Sequence, residues 1–324
     1  MSKNMIDRLD PEIAGPVKML QAMTGQGMNW NDIPAARAAS VQMMAAMKAQ
    51  QPVIQGVTAT DRKVPGPAGA PRVAIRIYEP ARRSKKLPAL LWIHGGGYML
   101  GNIEQEDMQA KVLTLAGKCV VVSVEYRLAP ENPFPAPVED CYAALKWLAT
   151  HTGEFGIDPT RIAIGGASAG GGLAAGLALL ARDRAEVDIM FQFLIYPMLD
   201  DCNISPACDT LPDTILWTRE SNLIGWRSYL GCEPGGDDIS PYASALRATD
   251  LTGLPSAYIA VGELDLFASE NVTYAQRLID ACVPTELHVY PGACHAFDGM
   301  APEARVSRQF TADFHQALKR ALHR

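Results

Sequence analysis

The run Gly166-Ala167-Ser168-Ala169-Gly170 has the spacing of a nucleophile carried on a sharp strand-to-helix turn. Backbone segments approach closely in such a turn, so the flanking positions must be Gly, and the Ser168 hydroxyl is forced into the open. Apolar residues 162–164 precede the turn, and Leu173, Leu177 and Leu180 follow it at helical spacing. The N-terminus of that helix favours negative charge developing beside Ser168. Upstream, Ile93-His94-Gly95-Gly96-Gly97-Tyr98 follows another apolar run, 89–93. Consecutive glycines let backbone N–H groups face a substrate oxygen, as an oxyanion hole requires, which makes Gly95, Gly96 and Gly97 candidate donors.

A nucleophilic Ser needs a base, and the base needs an orienting acid. Among the six histidines, His295 lies just beyond the predicted strand 286–290, in a loop at a strand's end. His315 and His323 fall in the last predicted helix, His151 ends a helix, and His288 lies within a strand. His94 leads the glycine run and is read as a brace for that loop. Asp265, in Gly262-Glu263-Leu264-Asp265-Leu266-Phe267 after the strand 258–261, is the best acid. Glu263 is the alternative, with loop shaping as its plainer role. The resulting chain order is Ser168, Asp265, His295.

Positioning these groups takes alternating strands and helices. Val73, Ile75 and Ile77 alternate as in a half-buried strand, while the runs 89–93, 120–124, 162–164, 189–195 and 258–261 suit strands covered on both faces. Helices are predicted at 104–116, from Pro137, at 169–184, at 267–281 and at 301–322. The pattern implies a mostly parallel, doubly wound α/β sheet. Two regions break it. Residues 1–50 hold eight of the 13 methionines and show helical spacing near 11–23 and 34–49, with Pro34 at a first helical position. The interval 198–239 holds no strand but carries an amphipathic helix predicted to begin at Pro212, with Ile215, Leu216, Leu223, Trp226 and Leu230 on it. Together the two regions are expected to form a helical cap over one end of the sheet.

At 324 residues with 48% hydrophobic and 20% charged, the chain can bury a large core and is neither disordered nor fibrous. A formal charge of -6 argues against nucleic acid, which demands a basic surface. The seven cysteines are odd in number and contain no C-x-x-C pair, so a reducing compartment is expected, and the charged N-terminus does not read as an export signal. Cytoplasmic location follows as the expectation. Residues 162–181 carry no charge over 20 positions, yet six are Gly and the period changes midway, so a strand, turn and buried helix are preferred to a membrane span. There is no metal or phosphate motif, and no cofactor is expected.

These residues resemble the hormone-sensitive-lipase family of α/β-hydrolases, the bacterial family IV esterases. The resemblance is carried by HGGGY (94–98), EYRLAPENPFPAPVED (125–140), GASAGG (166–171), GELDLF (262–267) and His295-Ala296-Phe297. It implies the α/β-hydrolase fold: a mostly parallel eight-stranded sheet, helices on both faces, and a cap made of residues 1–50 and an insertion 198–239. The core would be 51–197 and 240–324. It implies Ser168 as nucleophile, Asp265 as acid and His295 as base, with the amides of Gly96, Gly97 and Ala169 as oxyanion donors. The activity implied is hydrolysis of short- to medium-chain acyl esters, with a small-molecule ester as partner and, as in many relatives, a homodimer. The cap methionines, Tyr98, Trp217 and Trp226 are candidate pocket residues. Ala167 where the family has Asp or Thr, Glu125 in place of Asp, and Leu266 in place of Pro leave the subfamily and its substrate open. The same constellation also serves amide, carbamate or lactone hydrolases and acyltransferases, while receptors of this fold lack the His.

Overall fold

The structure is a computed structural model that describes residues 5–24, 30, 32–48, 53–82, 86–204 and 217–323. Its centre is one sheet of eight strands: β1 (Val57–Val64), β2 (Val73–Pro80), β3 (Leu87–Ile93), β4 (Val120–Glu125), β5 (Ile157–Ala167), β6 (Phe191–Ile195), β7 (Ser256–Gly262) and β8 (Thr285–Tyr290). Their order across the sheet is β1-β2-β4-β3-β5-β6-β7-β8. β2 is antiparallel to β1 and β4, and all other neighbours run parallel.

The apolar runs became the central strands because both of their faces are covered. Along β3, Ala89, Leu91 and Ile93 enter one core while Leu90 and Trp92 enter the other. α4 (Ala136–Thr150), α5 (Ala169–Arg184) and α7 (Ala268–Asp280) close the first core. α3 (Asp107–Gly117) and α9 (Arg305–Leu322) close the second, joined by Ile13 and Val17 of α1 (Pro11–Thr24). Two helices start later than their sequence periods indicate, α3 at Asp107 and α9 at Arg305, the latter preceded by a separate short helix, α8 (Phe297–Met300). The uncharged stretch 162–181 resolves into the end of β5, a turn and α5. Among the described residues no helix is long and apolar enough to cross a membrane.

The described parts of the two regions that break the rhythm contact loops that follow parallel strands. The Asp10 amide donates to the Gly292 carbonyl (2.9 Å) and Glu12 accepts from the Arg305 amide (2.7 Å), which seats α1 beside the loop after β8. α2 (Ile33–Lys48) begins behind Asp32, whose side chain accepts from the Ala35 amide (3.0 Å), so Pro34 is its second helical residue. Arg37 on α2 donates to the carbonyls of Met99 and Ala129 (2.7 Å each) and pairs with Glu131 (2.7 Å), fixing this helix to the end of the glycine loop.

The insertion helix α6 spans Arg219–Leu230 rather than starting at Pro212. Thr218 stops it there: its backbone is extended and its hydroxyl accepts the Ser221 amide (3.0 Å), the arrangement of an N-cap. Leu223, Trp226 and Leu230 lie on α6, whereas Pro212, Ile215 and Leu216 lie outside the described residues.

The chain leaving β6 is tied down by a buried ion pair. Asp201, with a fully buried side chain, receives Arg247 through two bonds (2.5 and 2.8 Å) and the Gly235 amide (2.7 Å). Burial raises the Asp201 pKa, but Arg247 and the amide outweigh it and hold the group below its ordinary value. Removing one partner of such a pair leaves an uncompensated buried charge. Arg247→Ala should therefore lower the unfolding free energy by about 3 kcal/mol in urea titrations, and wild-type stability at that position would refute the assignment.

Candidate active site

Ser168 sits between the last residue of β5 and the first of α5, with φ 57° and ψ −122°. A non-glycine residue in that region costs about 1–3 kcal/mol and persists only where its surroundings over-determine it. Here the Ser168 amide donates to the Ile195 carbonyl (2.9 Å), and its own carbonyl accepts from Gly172 (3.0 Å) and Met198 (3.1 Å). The flanking glycines answer to close approach. A Cβ at Gly166 would stand 2.4 Å from the Gly170 carbonyl, and one at Gly170 would stand 2.1 Å from the Ile93 oxygen. The start of α5 is thus pressed against the end of β3, leaving the Ser168 hydroxyl at the carboxyl end of a central strand.

Two loops bring their side chains to it. His295 follows β8, and its Nε2 lies 3.0 Å from Ser168 Oγ. Its Nδ1 lies 2.7 Å from Oδ2 of Asp265, which follows β7. Asp265 is 1% exposed and its other oxygen accepts the Phe267 amide (2.9 Å), so the carboxylate is held at both ends. With a carboxylate on Nδ1, that nitrogen carries the proton and Nε2 accepts from the hydroxyl. Phe267 and Tyr196 stand edge-on to the imidazole, at 5.1 and 4.9 Å between ring centres. Glu263, the alternative acid, instead pairs with Arg8 (3.1 Å) and accepts the Gly292 amide (3.1 Å), which shapes the loop. His151 and His323 bond carbonyls at the ends of α4 and α3, His288 bonds Glu286, and His315 lies on α9.

The glycine loop is held by its carbonyls. His94 Nδ1 donates to the Gly95 oxygen (2.8 Å), since a carbonyl can only accept. In a planar trans peptide the following N–H points the opposite way, so this bond aims the Gly96 amide away from the His94 ring. The Gly96 carbonyl accepts from Met99 (3.1 Å) and Leu100 (2.9 Å), which aims the Gly97 amide in the same manner. The Ala169 amide, first in α5, has no carbonyl four residues back within its helix, and it lies at the positive end of the helix dipole. Gly95 packs on the elbow, where a Cβ would stand 3.3 Å from Ser168 Cβ.

Of the three candidate pocket aromatics, two are placed differently from expectation. Tyr98 and Trp226 are fully buried, and Tyr98 stacks on Tyr229 at 4.0 Å with Trp226 at 5.4 Å. Their surfaces are used up in packing the insertion onto the core. Trp217 is half-buried and lies over the glycine loop, where a Cβ on Gly97 would meet its Cη2 at 2.0 Å. Trp30 meets Trp217 edge to face at 5.7 Å and donates to Ser221 (2.8 Å), so the two non-sheet regions touch directly above Gly97. Of the methionines in residues 1–50, Met44 lines a groove between α2 and the chain at 102–108, together with Val41, Gln105 and Met108. Met19 and Met43 are exposed. Asp200, Asp201 and Cys202 bring three potential metal-ligand atoms together, but Asp201 is committed to Arg247 and Gly235. Sequence reasoning passed over Tyr196, which ends an apolar strand without any motif, and Asp298, three residues after the base.

The profile of the alpha/beta hydrolase fold family matches residues 90–299. The chain belongs to the α/β-hydrolase family. Within it the chain falls in the hormone-sensitive-lipase branch. It is 35% identical over 269 residues to the carboxylesterase NlhH of Mycobacterium tuberculosis, covering 81% of this chain and 83% of that one. It is 37% identical over 248 residues to the arylesterase of Saccharolobus solfataricus, covering 76% and 78%. Among solved structures, a bacterial heroin esterase superposes with a TM-score of 0.94 at 42% identity, over 99% of this α/β-hydrolase and all of that chain.

His94 carries a pH signature. It is buried against Tyr126, whose ring stacks on it at 4.2 Å, and burial lowers its pKa from 6.5 to about 4, only partly opposed by the Gly95 carbonyl. Protonation would add a second N–H with no acceptor, since Nε2 is buried without a partner. The unfolded chain therefore binds the proton first, and folding stability is lost as pH falls from about 6.5 to about 4. The loss due to this group should reach about 3 kcal/mol, and His94→Asn should flatten that slope in urea titrations at several pH values. An unchanged slope would assign it to other groups.

Proposed function

We propose that the protein, a carboxylic ester hydrolase, cleaves short- to medium-chain acyl esters by two-step acyl transfer on Ser168. The observation that carries this is the buried line from Asp265 through His295 to Ser168, with both bonds within 3.0 Å. In this reading Ser168 Oγ attacks the ester carbonyl carbon while His295 Nε2 takes its proton. Asp265 orients the imidazole and stabilises the imidazolium that forms. The carbonyl oxygen becomes an oxyanion that accepts from the amides of Gly96, Gly97 and Ala169, where each donor contributes about 3–4 kcal/mol to the transition state. His295 returns the proton to the leaving alcohol. Water, deprotonated by His295, then attacks the acyl-enzyme and releases the acid.

Residues 1–50 and 198–239 act as a cap in this reading. The contact of Trp30 with Trp217 above Gly97 and the clasp of Arg37 on the glycine loop support it. A covered pocket limits the acyl chain it can enclose, hence the preference for shorter chains. The cysteines Cys119, Cys141 and Cys294 are buried as free thiols, in keeping with a cytoplasmic, reducing location.

Hydrolysis of p-nitrophenyl esters from acetate to palmitate tests the proposal. Activity should peak at short to medium chains, and Ser168→Ala should reduce kcat by about a thousandfold or more. A variant that keeps its turnover would remove Ser168 as nucleophile. Wild type inactive on esters but active on amides or lactones would reassign the substrate.

A further inference from the structure

Along β6 the side chains alternate: Phe191, Phe193 and Ile195 enter the core under α9, while Leu194 enters the core under α5. Continued alternation would send Tyr196 to the α5 side. Instead Tyr196 shares the α9 side with Ile195, and its φ of 35° makes that turn. Such a backbone conformation is unfavourable for a bulky residue and marks positions where the surroundings demand it. Two things hold Tyr196 in place. Its amide donates to the Ala260 carbonyl (2.6 Å), and its hydroxyl donates to Asp298 Oδ1 (3.1 Å). Between these anchors its ring lies edge-on to His295, 4.9 Å between centres and inclined by 65°. The same strand end supplies the Ile195 carbonyl that holds the Ser168 amide.

We propose that Tyr196 and Asp298 are positioning residues for His295, the phenol ring bracing the imidazole and Asp298 anchoring the phenol hydroxyl that holds the ring in place. The inference rests on the triad reading given above. The groups placed against the imidazole are Ser168, Asp265 from the loop after β7, Phe267 just before α7 and Tyr196 just after β6. Glu106, which accepts from Trp92 Nε1 (3.0 Å), stands behind Asp298. Burial pushes the Cys294 thiol up to about 12, so it is neutral. Burial raises the Asp298 carboxyl above its ordinary value, and the Tyr196 hydroxyl and two backbone amides oppose this only in part.

The test is kcat and KM on p-nitrophenyl butyrate, measured separately for wild type, Tyr196→Phe, Asp298→Asn and their double variant. Asp298→Asn should lower kcat about tenfold and leave KM within about twofold, the split expected when the base is misplaced and substrate binding is not. Tyr196→Phe keeps the ring and should cost less, and the double variant should be no worse than Asp298→Asn, because both act through one bond. Folded variants with wild-type kcat would overturn the inference, as would losses shared equally between kcat and KM or losses that multiply. Ser168→Ala, measured alongside, separates the two readings. Turnover surviving in Ser168→Ala overturns the triad and this inference with it. An inactive Ser168→Ala beside wild-type-like Tyr196 and Asp298 variants overturns this inference alone.

Discussion

Everything at this site depends on how closely the start of α5 can approach the end of β3. The approach is possible only because positions 166 and 170 lack side chains; a Cβ at either would overlap backbone atoms. It sets the turn at Ser168, leaves that residue in a left-handed conformation, and places the first amide of α5 beside the glycine loop. The strain is contained by bonds from three directions: Ile195 on the neighbouring strand, Met198 beyond it, and Gly172 within the helix. A turn held this way need not rearrange when charge develops on a substrate oxygen, which is what preorganisation means in energetic terms.

Asp265 and His295 arrive by a different route. Their loops extend from β7 and β8 at one side of the sheet and pack on each other: the Leu264 amide donates to the Ala293 carbonyl (2.9 Å), and a Cβ at Gly262 would stand 2.3 Å from that oxygen. The segment leading into α1 adds a second restraint. Arg8 pairs with Glu263 two residues before Asp265, and Asp10 accepts no less a role at Gly292, three residues before His295, where its amide meets the carbonyl. Residues far apart in the chain thus share one duty. Residues 8–12 restrain the loops that carry Asp265 and His295.

What the sequence made legible follows from how local each constraint is. Ser168, Gly166 and Gly170 are a local turn, and the strand and helix around them have opposite periods, so five residues carry their own context. The buried strands were legible because being covered on both faces leaves continuous apolar runs. β1 was not, because VTATDRKV pairs with β2 alone and exposes most of its residues, so nothing apolar marks it. The start of α6 was hidden because Thr218 caps it only in the folded chain, inside a stretch whose amphipathic period runs on from Pro212. Tyr98 and Trp226 read as pocket residues for their size and position, but both are fully buried, Tyr98 stacked on Tyr229 and Trp226 tilted against the pair. Tyr196 left no trace, since its importance lies in a backbone angle that reverses the alternation of a strand.

That reversal explains how a sheet with strict two-sided alternation can serve one site from both of its faces. Ser168 stands at the end of β5, between the two cores, whereas the His295 loop belongs to the core under α9. Turning Tyr196 to the same face as Ile195 sets its ring edge-on to the His295 imidazole. It also ends the regular strand at Ile195, which frees the chain to enter the segment leading to Asp201 and α6. One unfavourable dihedral thus terminates a strand, sets a ring against His295, and launches the segment assigned to the cap. Exclusion of water around an imidazole strengthens its bonds to Asp265 and Ser168, so the cost of the backbone is met by the stiffness of the line it protects.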